Sequence, residues 1–149
     1  MLTAFNEEIR EISGPGAKPL VLVVEDHADT REMLRFVIEE LGYRFIGCAD
    51  GEDAVRFVEG IMPDLILMDT SLPNVDGLVA TQRIRKLKTA SKVTIIFLSG
   101  YAQPKSRAEA IAAGGDEYLV KPVNLGELEL ALVKYLKTTA LPTARALTA

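Results

Sequence analysis

Four places along the chain carry residues able to handle a metal ion and a phosphoryl group together. They are the pair Glu25-Asp26, then Asp69, Ser99 and Lys121. Each closes or directly follows a short run of Val, Leu and Ile: Leu20 to Val24, Leu65 to Met68, Val93 to Leu98, and Tyr118 to Val120. Carboxylates brought close together repel and raise one another's pKa, and a hard cation removes the conflict. Mg2+ suits such a site because it prefers oxygen ligands and works through one or two carboxylates plus phosphate oxygens. Mn2+ accepts the same donors. A carboxylate with an open face can then act as a nucleophile toward a phosphoryl group. Lys121 offers a compact charge for one phosphoryl oxygen, and Ser99 a hydroxyl for another. Phosphoryl transfer asks for little more than this neutralisation and positioning. Singly, these residues are ordinary: Asp26 reads as a helix N-cap, Ser99 as a loop hydroxyl and Lys121 as an exposed lysine.

Such residues act together only if something aligns the ends of their strands. From Pro19 the chain alternates five strand-like with five helix-like runs. Met33, Leu34, Val37, Ile38 and Leu41 recur at helical spacing until Gly42. A strand over Arg44–Cys48 and a helix over Glu52–Glu59 come next. A third helix spans about Gly77 to Lys88, with Leu78, Ile84 and Leu87 inward and Arg83, Arg85, Lys86 and Lys88 outward. Pro104 suits the first turn of a fourth helix that Gly114-Gly115 ends. Asn124, with Glu127 three residues on, opens a last helix running to about Lys137. Strand–helix alternation with continuous apolar strands implies a doubly wound α/β fold, a parallel sheet covered on both faces. Open sheets of this kind bind ligands outside the carboxyl ends of their strands, where the polar residues fall.

Residues 1–18 read as an extension, either a short helix (Phe5, Ile9 and Ile12 have helical spacing) or a disordered arm ended by Ser13-Gly14-Pro15-Gly16. Residues 19–137 read as one domain, and 138–149 as a flexible tail that leaves no room for an output domain. A net charge of −4, with no Lys/Arg cluster among aromatics, argues against nucleic acid as a partner. No apolar run is long enough to span a bilayer, and the N-terminus lacks the order of a signal peptide, so no membrane role and a cytoplasmic location are expected. Cys48, the only cysteine, reads as a packed core thiol, and His27, the only histidine, as a rim residue.

From Leu20 to about Leu136 the chain resembles the response-regulator receiver domains. The stretches that carry the resemblance are Val-Val-Glu-Asp (23–26), Met-Asp-Thr-Ser-Leu-Pro-Asn-Val-Asp-Gly (68–77), Phe-Leu-Ser-Gly (97–100) and Tyr-Leu-Val-Lys-Pro (118–122). The resemblance implies a flavodoxin-like fold, five parallel strands in the order 2-1-3-4-5 with five helices. It implies that Asp69 accepts a phosphoryl group from a histidine kinase or histidine phosphotransfer protein. By the same resemblance Asp26 ligates Mg2+, Glu25 is its acidic companion, and the backbone carbonyl of Ser71 completes the metal shell. Ser99 and Tyr118 are implied as the switch pair, Lys121 as the phosphoryl-binding lysine, and the bond before Pro122 as cis. A downstream protein target is implied, with the protein a monomer or a phosphorylation-dependent dimer. The chain departs from the commonest pattern at Ser71, Tyr101 and Val123, which bear on phosphoryl lifetime and the output surface.

Other classes share some of these residues. Gly114-Gly115-Asp116-Glu117-Tyr118 is similar to the signature of diguanylate cyclases, yet here it leads straight into Val120-Lys121-Pro122. Haloacid-dehalogenase-like phosphatases need Asp-x-Asp, and Asp69-Thr70-Ser71 lacks the second carboxylate. A receiver-like module that binds partners without phosphorylation is the remaining alternative. The reading adopted is a phospho-accepting switch that catalyses only its own phosphorylation and dephosphorylation, rather than a metabolic enzyme.

Overall fold

The computed structural model describes residues 17–136. The expectations for residues 1–16 and for the chain from 137 onward lie outside the described residues. Five strands, β1 (Leu20–Val24), β2 (Arg44–Cys48), β3 (Leu65–Asp69), β4 (Thr94–Ser99) and β5 (Glu117–Val120), form one sheet. All neighbours are parallel and the order is β2-β1-β3-β4-β5, the doubly wound arrangement expected. Between and after the strands run α1 (Ala28–Glu40), α2 (Gly51–Ile61), α3 (Gly77–Arg85), α4 (Pro104–Ala113) and α5 (Leu125–Tyr135).

Side chains alternate across a strand, and the strands are apolar on both faces because both are covered. Val21, Val23, Leu65, Leu67, Ile96 and Leu98 pack with Leu34 and Ile38 of α1 and Leu128 and Leu132 of α5. Leu22, Val24, Ile66, Met68, Ile95 and Phe97 pack with α2, α3 and α4. Register then aligns the strand ends. Val24 pairs with Met68, Asp69 with Leu98 and Ser99 with Val120, so Glu25, Asp69, Ser99 and Lys121 come out at one edge.

Helix starts show which polar residues are spent on structure. Asp50 accepts from the Asp53 amide, Asp76 from Val79, and Asn124 from Glu127 as its spacing predicts. The N-cap of α1 is His27, not Asp26, and its side chain makes no capping bond. Asp26 is thus left out of the helix start and its carboxylate stays free for other work.

Three local expectations are corrected. Met33 lies on the exposed side of α1, whose buried residues are Leu34, Val37 and Ile38. Helix α3 stops at Arg85, not Lys88, because the Lys86 and Leu87 amides bond three residues back and tighten the last turn. Arg85 does not point to solvent either. Its guanidinium folds over the end of the sheet, donating to the carbonyls of Gly114 (2.7 and 2.9 Å), Ser91 (3.0 Å) and Val93 and to Asp116 Oδ2 (2.9 Å). A spacing argument cannot see such a tether, because every partner lies outside the helix. Replacing Arg85 with Ala is expected to cost about 2 kcal/mol, since hydrogen bonds from a charged donor are worth more than neutral ones. Arg83→Ala, on the exposed face, should stay within about 0.5 kcal/mol. Urea unfolding of the two variants checks the contrast.

The cyclase-like stretch has structural work here. Gly114 caps α4 in the left-handed region at φ 119, Asp116 accepts from the Ile95 amide and Arg85, and Glu117 accepts from the Tyr135 hydroxyl. Cys48 is buried, and burial pushes its thiol up to about 12, an inert core group.

Candidate functional site

Where β1, β3 and β5 end, one ammonium is shared by two buried carboxylates. Lys121 Nζ lies 2.8 Å from Asp69 Oδ2 and 3.2 and 3.3 Å from the two oxygens of Glu25. Glu25 is 2% exposed and Asp69 4%. The Lys121 amide is anchored to the Ser99 carbonyl (2.7 Å), and the Lys121-Pro122 bond is cis, as the resemblance implies. Glu25 is held by its own backbone, its amide donating to Cys48 and its carbonyl accepting from Arg31 Nη1 (2.7 Å). Asp69 Oδ1 accepts from the Ser71 amide at 2.9 Å. Ser71 was singled out for its carbonyl, and its N–H is the group seen to act on the site.

The electrostatics follow from this crowding. Burial pushes Glu25 up to about 8, helped by the hydrogen bond and charge of Asp69 and opposed by Lys121. Burial also works upward on Asp69, but hydrogen bonds from Glu25, Lys121 and the Ser71 amide outweigh it and hold Asp69 below the ordinary carboxylate value. Lys121 loses some basicity to burial and regains more from the two carboxylates, ending above its usual value. Of the two carboxylates Glu25 is thus the one that burial and its neighbour favour in the protonated form.

Asp26 stands exposed at the rim beside His27, whose Nδ1 is 3.3 Å from Asp26 Oδ1, and ligand atoms of Glu25, Asp26 and His27 lie within 4.8 Å of one another. Two buried carboxylates share Lys121, and Asp26 adds a third carboxylate next to Glu25, so oxygen donors outnumber the cation among them. That chemistry fits a hard divalent cation, for which Glu25, Asp26 and Asp69 are the residues able to hold it. The cation would offset the carboxylate charge and that of an incoming phosphate.

Ser99, 1% exposed, stands at the end of β4. Its Oγ accepts from Thr70 Oγ1 (3.0 Å) and from the Tyr101 amide (3.2 Å). Tyr118 is buried, and its hydroxyl donates to the Tyr101 carbonyl. Thr70, Ser71, Leu78, Ser99, Tyr101 and Tyr118 help line a cleft of about 240 Å3 beside the carboxylates. The structure joins Glu25, Asp69 and Lys121 in one cluster and the Ser71 amide to Asp69, while Ser99 and Tyr118 meet around Tyr101 and Thr70 in the neighbouring cleft. Nothing in the spacing marks Thr70, whose role depends on a partner 29 residues away.

The family model of the response regulator receiver domain matches residues 21–133. This chain belongs to that family. The receiver is 37% identical to the receiver domain of sensor histidine kinase PA1611 from Pseudomonas aeruginosa, a structure with a magnesium ion coordinated in its active site cleft. That match has a TM-score of 0.75 and covers 80% of this chain and 98% of the other. The chemotaxis protein CheY4 of Vibrio cholerae is 28% identical with a TM-score of 0.76, over 80% of this chain and all (100%) of that one. Among curated relatives, the probable transcriptional regulator ycf27 of Guillardia theta is 34% identical over 82% of this chain and 47% of its own length. An uncharacterized 14.6 kDa protein of Leptolyngbya boryana is 33% identical over 77% of this chain and 88% of its own length. The chain thus spans about half the length of ycf27, and nearly all of the second relative. Since some relatives are named transcriptional regulators, the acidic charge of this receiver speaks only for its own residues. Among the described residues no helix is long and apolar enough to cross a membrane.

Proposed function

We propose that this receiver is a phosphorylation switch of a two-component or phosphorelay system, accepting its phosphoryl group on Asp69 with Mg2+ bound by Glu25 and Asp26. The observation that carries the reading is the Lys121 ammonium, 2.8 Å from Asp69 and shared with Glu25, among carboxylates whose oxygen donors outnumber it. An Asp69 oxygen attacks phosphorus in a phosphohistidine, the N–P bond breaks and an acyl phosphate forms. The donor is a histidine kinase or a histidine phosphotransfer protein. Hydrolysis of the acyl phosphate is slow and self-catalysed, so the protein is a switch and not a metabolic enzyme. The response is read by a downstream protein on the face built by α4, β5 and α5, where Ile111, Val120 and Leu130 are exposed. A cytoplasmic setting, as monomer or phosphorylation-dependent dimer, agrees with this role.

The test is incubation with acetyl phosphate and Mg2+, followed by intact-mass measurement. Wild type is expected to gain one phosphoryl group, labile to hydroxylamine, and Asp69→Asn none. Equal labelling of Asp69→Asn would overturn the assignment.

A further inference from the structure

Ser99 Oγ takes two hydrogen bonds, from the Thr70 hydroxyl and from the Tyr101 amide. A hydroxyl offers two acceptor directions and one proton, so both acceptor directions are used and the orientation of the group is set. The alternation of the strands decides where it is set. Ile66 and Met68 in β3, and Ile95 and Phe97 in β4, face α2, α3 and α4, and Thr70 and Ser99 continue that series. Asp69 continues the opposite series, with Leu65 and Leu67. The cleft that Thr70 and Ser99 help line does not have Asp69 among its walls.

We propose that Thr70 is a positioning residue, a latch that holds the Ser99 hydroxyl on the far side of β3 from the Asp69 carboxylate. The inference rests on the proposed function, in which Ser99 serves a phosphoryl group on Asp69. To reach that group the hydroxyl must give up its bond from Thr70. Each phosphorylation event then works against one hydrogen bond, whose net worth of about 1 kcal/mol corresponds to a roughly fivefold bias toward the latched arrangement. Thr70 sits next to the acceptor, so the strand that presents Asp69 also restrains the group that answers it.

Beryllium trifluoride, a phosphoryl analogue that adds to carboxylates without covalent turnover, reads this bias directly. Its binding with Mg2+ is followed by 19F NMR titration of the whole chain. Thr70→Val, which keeps the side-chain shape and loses the hydroxyl, is expected to bind about fivefold tighter than wild type. Thr70→Ser, which restores the donor, should return to wild-type affinity. In a Ser99→Ala background, Thr70→Val should change nothing, whereas a merely structural role would shift binding in both backgrounds. Equal or weaker binding by Thr70→Val, or a gain that survives in Ser99→Ala, overturns the latch alone. A wild-type protein that binds no beryllium trifluoride overturns the proposed function and the latch with it.

Discussion

Lys121→Met is expected to destabilise the metal-free protein by about 3 kcal/mol at pH 8.5, and by clearly less at pH 5.5. Removing one partner of a buried ion pair leaves an uncompensated charge and costs about 3–5 kcal/mol. The lower end applies because the Lys121 side chain is 26% exposed. The pH dependence comes from Glu25. Its folded pKa is raised above the unfolded value, so the folded state holds the proton more tightly. Stability tied to Glu25 is fully present below about 4.5 and is lost as pH rises through about 8. Asp69 is shifted the opposite way, so its contribution is present above its ordinary value of 3.8 and lost only in more acid solution. Lys121 is raised, so its contribution declines only near and above its ordinary value of 10.5. Between pH 5 and 9, Glu25 alone among the three sets the slope. Without Lys121, Glu25 loses the neighbour that lowers its pKa, and the stability of the variant falls more steeply with pH. Mg2+ should recover much of the loss, and should bind more tightly than to wild type, because a competing cation is gone. Labelling by acetyl phosphate should fall about 100-fold, the usual scale for removing one charge-stabilising donor. Urea unfolding at the two pH values, with and without Mg2+, checks the stability effects. A loss that is the same at both would mean that the ionisation of Glu25 does not depend on Lys121.

Part of this site was legible in the sequence for a physical reason. Strands buried on both faces must be continuous apolar runs, so the polar residues that end them stand out, and Glu25, Asp69, Ser99 and Lys121 were found that way. A parallel sheet brings such ends to one edge without further information. What stayed hidden depends on contacts between distant residues. Asp26 and His27 compete for the same N-cap, and only the backbone at His27 decides it. Arg85 looks like one more exposed cation until Gly114, Asp116 and the β4 lead-in are placed beside it. The depth of Tyr118 goes with the Tyr101 carbonyl that takes up its hydroxyl, a partner 17 residues away. Met33 fits the helical period but falls at the margin of the apolar stripe, where the neighbouring layer no longer reaches it.

Gly77→Ala is expected to lower the Tm by about 12 °C and to damage the site as well as the fold. Gly77 is the first residue of α3 and lies against the end of β3. A methyl group there would stand 2.1 Å from the Asp69 carbonyl oxygen, 3.0 Å from its carbon and 3.1 Å from Met68 Cγ. The backbone of Gly77 is outside the left-handed region, so steric contact and not conformational freedom demands glycine. No rotamer can relieve the two closest contacts, because the opposing Asp69 atoms are backbone. Either α3 withdraws or β3 shifts, and the Gly77 N–H to Thr70 carbonyl bond of 3.1 Å is strained in both cases. Overpacking a filled interior costs about 3 kcal/mol at the upper end of its usual range, and each kcal/mol is worth roughly 4 °C in a domain of this size. The atom that must give way belongs to the acceptor residue itself. Displacing Asp69 by about 1 Å should slow labelling of the folded fraction about 100-fold. Gly100→Ala is the control: it sits next to Ser99, but a methyl group there meets nothing within 4 Å, so Tm and labelling rate should both stay near wild type. Thermal unfolding and labelling at 15 °C, where both variants are folded, separate the two effects. A Gly77→Ala protein that labels at the wild-type rate would show that the approach of α3 to Asp69 is not what holds the acceptor in place.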